Sequence, residues 1–413
     1  MLLTRIEASG FRNLEGFAEF GSGLNIFYGD NAHGKTNWLE AIYLLGTTKS
    51  FRTTQVRECI AFDQPQCLLR GDTLRGSLTK QVQLLLTENT KELYLNGKRE
   101  ALVRYIGNLD VFVFSLEEMD VIRGDPGRRR RFLDRGVVSA SPSFLGTLAR
   151  YNNVIKQKNR LLGEASASDE PQRFQSEVEA WNDQLVELGA DIHNGRTSYV
   201  ERLNSELETN DHGHALFGAE RINVRYRSQL EGKGDLDRFA ELFRERLALR
   251  LKAEIEAGHS LIGPHRDDLE ITADGREVSR YGSAGQQRSA LLLLDLAQVS
   301  IYTQIYDESP VLLIDDIDAE LDRGRIESLL SELEGRVQTF VSTSRRAIAN
   351  RYRDRASVYC VERGRATVEA GTAAIRPSPD GVNDETDGRG FQPDELVERD
   401  GGEAGQTIEA SFD

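Results

Sequence analysis

The sequence predicts an α/β protein in which a mostly helical lobe interrupts the sheet. Three observations predict it. A short apolar run, Leu24, Ile26, Phe27 and Tyr28, leads straight into a glycine-bounded loop and then a helical pattern. Far along the chain, four apolar residues, Val311–Ile314, end in Asp315 and Asp316. Between these runs, residues 117–254 carry apolar side chains at helical rather than strand spacing. The expected organisation is a first α/β part over 1–118, the helical insertion over 119–289, a second α/β part over 290–375, and an acidic tail over 376–413.

The first run has the composition of a strand buried on both faces of a parallel sheet. Its loop, Gly29-Asp30-Asn31-Ala32-His33-Gly34-Lys35-Thr36, fits the pattern G-x-x-x-x-G-K-[ST]. Chemistry explains the spacing. The two glycines let the backbone bend so that successive N–H groups point inward at phosphate oxygens. Lys35 brings a cation to the β- and γ-phosphates, and Thr36 offers a hydroxyl to Mg²⁺. The following helix aims its positive end at the same anion, which draws Asn37 into the segment. Trp38, Ile42 and Leu45 recur at helical spacing, so that helix has a buried face. ATP with Mg²⁺ is the expected ligand.

Bulk composition sets the limits. The chain has 413 residues, enough for more than one core. It is 39% hydrophobic, with no apolar run of about 18 residues, so no membrane helix is expected. The start, MLLTRIEASGFRN, reaches charge too early for a signal peptide, and a cytoplasmic location is expected. Cys59, Cys67 and Cys360 show no paired spacing, which argues against a disulfide framework or a zinc site. Net charge is −15, which taken alone opposes nucleic-acid binding. Eleven Asp/Glu and three Arg in residues 376–413 carry −8 of it, leaving −7 elsewhere, so basic clusters persist locally.

Taken in order, residues 1–22 read as two short strands around Phe11-Arg12-Asn13. Arg12 reads equally well as a nucleotide contact and as a surface arginine. Thr48-Lys49-Ser50-Phe51-Arg52 is a polar connector. Residues 66–103 read as β, with Asn96-Gly97 marking a hairpin. Val111–Phe114 is a buried strand. Phe144, Leu148, Tyr151 and Ile155, then Trp181, Leu185 and Leu188, then Phe239, Phe243, Leu247 and Leu251 mark helices. Strands are expected again at Leu261–Gly263 and Leu269–Thr272, and later at Thr339–Thr343, Val358–Val361 and Thr367–Glu369. Beyond Arg376 the composition is that of a disordered acidic tail.

Two constellations carry chemistry beside the loop. A parallel strand delivers Asp315 and Asp316 to the ligand edge of the sheet. Asp315 suits Mg²⁺, and Asp316 suits orienting or deprotonating the attacking water. Ser283-Ala284-Gly285-Gln286-Gln287-Arg288 opens the helix that runs to Tyr306. A small-residue turn at a helix start is an anion site, or simply a cap with Ser283 as N-cap. Its place before the Asp-Asp strand is that of the signature of ABC-type ATPases. In that architecture Ser283, Gly285 and Gln286 would reach nucleotide bound by a second copy.

FRN, GDNAHGKTNWLEAIYLL, TKSFR, GDPGRRRRFLDR, GPHRDDL, SAGQQR and LLIDDIDAELD occur in one order over residues 11–322. Together they resemble the RecF family, bacterial DNA-repair ATPases of the ABC/SMC/Rad50 class. The resemblance implies an ABC-type ATPase head with ATP binding, slow hydrolysis and ATP-driven dimerisation. It also implies binding of duplex DNA at gaps, and work with RecO and RecR in loading recombinase. Arg128, Arg129, Arg130 and Arg131 are candidate DNA contacts. Four arginines in a first helical turn oppose the helix dipole, which asks for an acidic or phosphate partner nearby. His265 and Arg266, in GPHRDDL, read as buried polar brackets. Arg345, Arg346, Arg351, Arg353 and Arg355 read as a solvated face.

Some residues depart from neighbouring families. No glutamine loop follows Phe114, where Ser115–Glu118 stand, and Ser344 stands where transporter ATPases have a histidine. A transporter subunit is therefore disfavoured. The absence of a long heptad run disfavours an SMC or RecN protein. An ABC-type regulatory ATPase that acts on a protein partner without DNA remains the alternative. Asp316 in place of the longer glutamate suggests a slow ATPase, a switch more than a motor, and the resemblance implies one that is weak and DNA-stimulated.

Overall fold

Two six-stranded sheets enclose the helix that follows the glycine-bounded loop. The computed structural model describes residues 1–209 and 221–370, and the acidic tail expected from 376 lies outside them. In chain order the strands of the first part are β1 (Leu2–Phe11), β2 (Leu14–Glu19) and β3 (Leu24–Tyr28). Helix α1 (Lys35–Thr47) follows, then β4 (Gln66–Arg75), β5 (Leu78–Thr87), β6 (Lys91–Leu95), β7 (Lys98–Arg99) and β8 (Val111–Phe114).

The insertion carries α2 (Pro126–Ala140), α3 (Phe144–Ser166), α4 (Gln175–Thr209), β9 (Ile222–Arg227) and α5 (Phe239–Ala257). It ends with β10 (Asp268–Ala273) and β11 (Arg276–Glu277), and α6 (Ala284–Tyr306) leads back. The last elements are β12 (Val311–Ile314), α7 (Arg323–Leu333), β13 (Gln338–Thr343), β14 (Ala356–Glu362) and β15 (Arg365–Ala370).

The first sheet is antiparallel, in the order β2-β1-β4-β5-β6-β7. The second has the order β15-β14-β3-β13-β12-β8 and is parallel except at its β15 edge. Its strands β3, β8 and β12 are buried at every position, as continuous apolar runs demand. Trp38, Leu39, Ile42 and Leu45 of α1 pack with Leu3 and Ile6 of one sheet and Phe27, Leu313 and Phe340 of the other. Gln338 ties the sheets by polar bonds. Its side chain accepts from the Leu3 N–H and donates to the Leu3 and Gly21 carbonyls, each at 2.8 Å.

The hairpin expected at Asn96-Gly97 forms, with φ of 49° and 76° in the left-handed region that this turn requires. The region read as helical also holds a strand. β9 pairs with β10, and a three-stranded sheet, β11-β10-β9, sits inside the insertion. The strand expected at Leu261–Gly263 does not form. Gly263 has φ 136°, and Pro264 opens a short 3-10 turn, so no ladder can run through. Side chains satisfy that backbone instead: Leu261 N–H donates to Glu254 at 2.8 Å, and Gln229 donates to the Leu261 carbonyl at 2.8 Å.

The two motifs GDPGRRRRFLDR and GPHRDDL meet. Asp125 caps α2 by accepting from Gly127 and Arg128 N–H groups at 2.7 and 3.2 Å. Arg129 forks onto Asp268 at 2.6 and 2.9 Å, and Arg130 donates to the Asp267 carbonyl at 2.6 Å. Arg196 of α4 forks onto Asp134 at 2.8 and 3.0 Å and reaches the Pro264 carbonyl at 2.8 Å. The expected buried brackets are only half so: Arg266 is exposed, and His265 is half-buried against Tyr151, whose hydroxyl lies 2.8 Å from its Nδ1. Arg266 donates to the Ser260 carbonyl at 3.0 Å. The acidic partner that the dipole mismatch asked for is therefore supplied by the chain itself.

Arg345, Arg346, Arg351 and Arg355 are each ion-paired, with Asp318, Glu369, Glu327 and Glu334. Among the described residues no helix is long and apolar enough to cross a membrane. Cys59 and Cys67 are buried free thiols, and Cys360 is half-buried and free.

Candidate functional site

The loop between β3 and α1 is held in an open curl by backbone that only small residues accept. Gly29 has φ 153°, and a Cβ there would lie 2.5 Å from the Val361 carbonyl oxygen. Gly34 has φ 106°, and a Cβ there would lie 2.8 Å from Asn13 Oδ1. Ala32 also sits at positive φ, 67°. The β14–β15 turn, Arg363-Gly364, lies against this loop: Gly364 N–H donates to the His33 carbonyl at 2.8 Å. A side chain at Gly364 would meet the Asn13 carbonyl oxygen at 1.8 Å, so the contact is backbone on backbone.

Beside the loop is a cleft of about 470 Å³. It is lined by Arg12, Asn31, Ala32, Gly34, Lys35, Thr36, Asn37, Arg52, Asp316 and Ser342. Of the residues expected from the loop, Gly29, Asp30 and His33 do not line the cleft. The Gly29 and Asp30 carbonyls accept from Lys35 Nζ at 2.8 and 2.9 Å. Burial lowers the Lys35 pKa, opposed by the charges of Asp316, Asp315, Asp318 and Asp30.

β12 delivers its two aspartates to the far wall. Thr36 Oγ1 donates to Asp315 Oδ1 at 2.9 Å, and Ser342 Oγ donates to the same oxygen at 2.6 Å. Burial pushes the Asp315 carboxyl up to about 6, against the pull of those two hydroxyls. A desolvated carboxylate beside a hydroxyl at the phosphate loop fits a hard divalent cation. Asp316 adopts φ 49°, ψ 51°, and its N–H is held by Ser342 Oγ at 2.8 Å. That left-handed residue turns its side chain to the cleft, and burial, then Asp318, raises its pKa. Asp318 is held low. Burial would raise it, but hydrogen bonds from Thr343 and from the Ser344 hydroxyl and N–H outweigh that.

Ser115–Glu118, at the end of β8, link this wall to the insertion. Glu117 is among the charges that raise Asp315. Glu118 accepts from both terminal nitrogens of Arg135 on α2, at 3.0 and 3.2 Å. Arg135 also donates to the Tyr43 hydroxyl of α1 at 3.0 Å and lies 4.0 Å from the buried Asp295 of α6.

Ser283 caps α6 in a capping box with Gln286: it accepts from Gln286 N–H at 3.2 Å, and Gln286 accepts from Ser283 N–H at 2.5 Å. Neither Ser283, Gly285 nor Gln286 lines the cleft of its own chain. Arg12 lines the cleft, with its guanidinium gripped by Glu40. Sequence reasoning missed Glu40, Arg52, Ser342, Asp318 and Gly364. Glu40, Arg52 and Asp318 stood inside the quoted stretches GDNAHGKTNWLEAIYLL, TKSFR and LLIDDIDAELD, whereas Ser342 and Gly364 carried no signal.

Residues 2–367 match the family described as RecF/RecN/SMC N terminal domain. The chain is similar to the DNA replication and repair protein RecF of Halothermothrix orenii, 36% identical over 349 residues, 83% of this chain and 92% of that one. It is likewise similar to the Bacillus subtilis protein of that name, 33% identical over 83% of this chain and 93% of that one. Among solved structures it resembles the recombination mediator protein RecF with ATP, from the RecFOR pathway. The TM-score is 0.80 and the identity 28%, over 89% of this chain and 97% of that one.

Proposed function

The chain belongs to the RecF family, and from that premise we propose that it is an ATP-dependent DNA-binding protein of replication and recombinational repair. One observation carries the reading. A single cleft gathers Lys35 and Thr36 from the loop and Asp316 from the facing strand. Lys35 leaves the two loop carbonyls to take β- and γ-phosphate oxygens, with the loop N–H groups beneath. Thr36 and Asp315 hold Mg²⁺, which when bound neutralises charge on the phosphates. Asp316 orients the attacking water and draws its proton, giving ADP and phosphate. Its short side chain makes hydrolysis slow, as suits a switch, and DNA stimulates it.

Ser283, Gly285 and Gln286 stand at an exposed helix start outside their own cleft, so they serve the γ-phosphate of a second copy. Two chains then close head to head around two ATP molecules. The closed dimer binds gapped duplex through phosphate contacts and works in the cytoplasm with RecO and RecR to load recombinase. Within the arginine run, Arg131 faces DNA, joined by Arg128 once it leaves its exposed ion pair with Asp120 at 3.4 Å, because Arg129 and Arg130 are engaged inside the chain.

The test is fluorescence anisotropy of a labelled gapped duplex at one fixed salt, with and without ATP and Mg²⁺. Tighter binding with ATP, lost in Lys35→Ala, is expected. DNA binding in neither state would move the function to a protein partner.

A further inference from the structure

Glu40 is the most deeply committed acid near the cleft. It sits on α1, is fully buried, and contributes nothing to the cleft lining. Arg12 forks onto it, Nε to Oε2 at 3.0 Å and Nη2 to Oε1 at 2.8 Å. Ser50 donates to Oε1 at 2.5 Å, and Arg52 approaches Oε2 at 3.4 Å. The Cys59 thiol lies 3.6 Å away. Each arginine has a second anchor: Arg12 on the Glu58 carbonyl at 2.9 Å, Arg52 on Asn37 Oδ1 at 2.8 Å. Burial alone would raise the Glu40 pKa, yet the arginines and Ser50 hold it low.

Both arginines line the cleft. Arg52 is anchored on Asn37, in the first turn of α1, whereas Asp316 and Ser342 line the cleft from the end of β12 and from β13. A phosphate chain whose γ end meets Lys35 and Asp316 puts its α and β end beside Arg12 and Arg52. Free arginine side chains carry substantial rotamer entropy, and a fork held bidentately loses less on meeting a second anion. Arg12 also occupies φ 51°, a costly backbone state that its side-chain contacts help maintain.

We propose that Glu40 is a positioning residue of the nucleotide site: it fixes Arg12 and Arg52 as a preformed pair whose outward N–H groups take α- and β-phosphate oxygens. This rests on the cleft being the nucleotide site. Because ADP and ATP share those phosphates, Glu40 sets affinity for both and does not discriminate the γ-phosphate.

The test titrates the full-length chain with fluorescent ADP and ATP analogues. Glu40→Gln is expected to weaken both by a similar factor, about tenfold. Arg12→Lys keeps the charge but cannot be gripped bidentately, and is expected to lose about as much. The double variant Glu40→Gln/Arg12→Lys is expected to be no weaker than either alone, which a merely structural Glu40 would not give. If Glu40→Gln does not fold, Arg12→Lys and Arg52→Lys carry the test by themselves. Affinity within twofold of wild type in Arg12→Lys, or full additivity in the double variant, overturns the proposal. Lys35→Ala separates the premise: if it binds nucleotide normally, the cleft reading itself fails and takes the proposal with it, whereas lost binding in Lys35→Ala beside unchanged affinity in Arg12→Lys overturns the role of Glu40 alone.

Discussion

The Thr36 hydroxyl donates to the Asp315 carboxylate at 2.9 Å, joining the start of α1 to the end of β12. The bond closes the phosphate loop onto the facing strand, and both partners are the groups that a loop-bound Mg²⁺ would use. Ser342 shares the same oxygen at 2.6 Å, so the carboxylate keeps a fixed orientation. A divalent cation there would be held by the Thr36 hydroxyl oxygen and the Asp315 carboxylate in place of their mutual hydrogen bond, with Ser342 keeping the carboxylate aimed.

Asp315→Asn retains an acceptor for Thr36 and Ser342 but removes the charge. The expected outcome is folded protein whose ATP affinity no longer changes when Mg²⁺ is chelated. Calorimetric titration with and without chelator checks it, and an undiminished Mg²⁺ effect would remove Asp315 from the metal site.

Asp316→Asn is the matching test of hydrolysis. Asn tolerates the left-handed backbone at φ 49°, so the loop keeps its shape while the base is lost. Turnover is expected to fall about 10²–10⁴-fold, the usual range for a general base, and an ATP-bound dimer should accumulate in size-exclusion light scattering. Unchanged turnover would take Asp316 out of the chemistry.

Ser283→Arg places a bulky cation at the exposed start of α6. The expectation is normal ATP binding by the single chain with dimerisation abolished, read by the same light-scattering experiment. Loss of ATP binding in the monomer would contradict a role in trans.

Acid should loosen the insertion. Burial, and secondarily Arg266, lowers His265 to about 3, and burial with Arg196 lowers His193 to about 4. Both lie below the unfolded value of about 6.5, so their contribution is fully present above that pH and is lost as pH falls through the window towards 4. Each histidine adds a slope of about 1.4 kcal/mol per pH unit there. His265→Gln is expected to halve the combined slope, measured by urea unfolding at pH 7.5, 5.5 and 4.5. Parallel pH profiles would rule the histidine out.

The arginine run divides by partner. Arg129→Ala strips a fork from Asp268 and is expected to cost about 1–3 kcal/mol of stability. Arg131 makes no hydrogen bond or ion pair among the described residues, and Arg131→Glu is expected to leave stability alone. It should weaken DNA binding and lower the salt slope by roughly one. The reverse assignment in melting and anisotropy would show that the inward arginines bind DNA.

Much of this was legible in the sequence where the signal is local. The Gly29–Thr36 spacing, the apolar run into Asp315-Asp316 and the Ser283 N-cap each fit within a few residues. Glu40 was not legible, because its role depends on Arg12, Ser50, Arg52 and Glu58, which arrive from three separate segments. Ser342 and Gly364 reach the site only through the strand order β14-β3-β13-β12. β9 alternates well enough, but it follows a long helix and pairs with a strand some forty residues on. Leu261–Gly263 misled because buried apolar residues were read as a ladder. Gly263 and Pro264 turn the chain there, and side chains satisfy its backbone.

The position of β3 has a consequence for biosynthesis. This strand carries the phosphate loop, yet both of its neighbours, β13 and β14, are among the last segments of the sheet to be translated. At about 5–20 residues per second, the nascent β3 waits roughly 15 to 60 s for β13. Through that interval the antiparallel sheet and the insertion can emerge, while the strand beneath the loop has no ladder. A chain stalled before β13 carries every loop residue but neither strand that flanks β3, and is expected not to bind nucleotide. The final hairpin completes the loop's surroundings, because Gly364 N–H closes on the His33 carbonyl at 2.8 Å, so a product truncated before it is expected to lack the finished site.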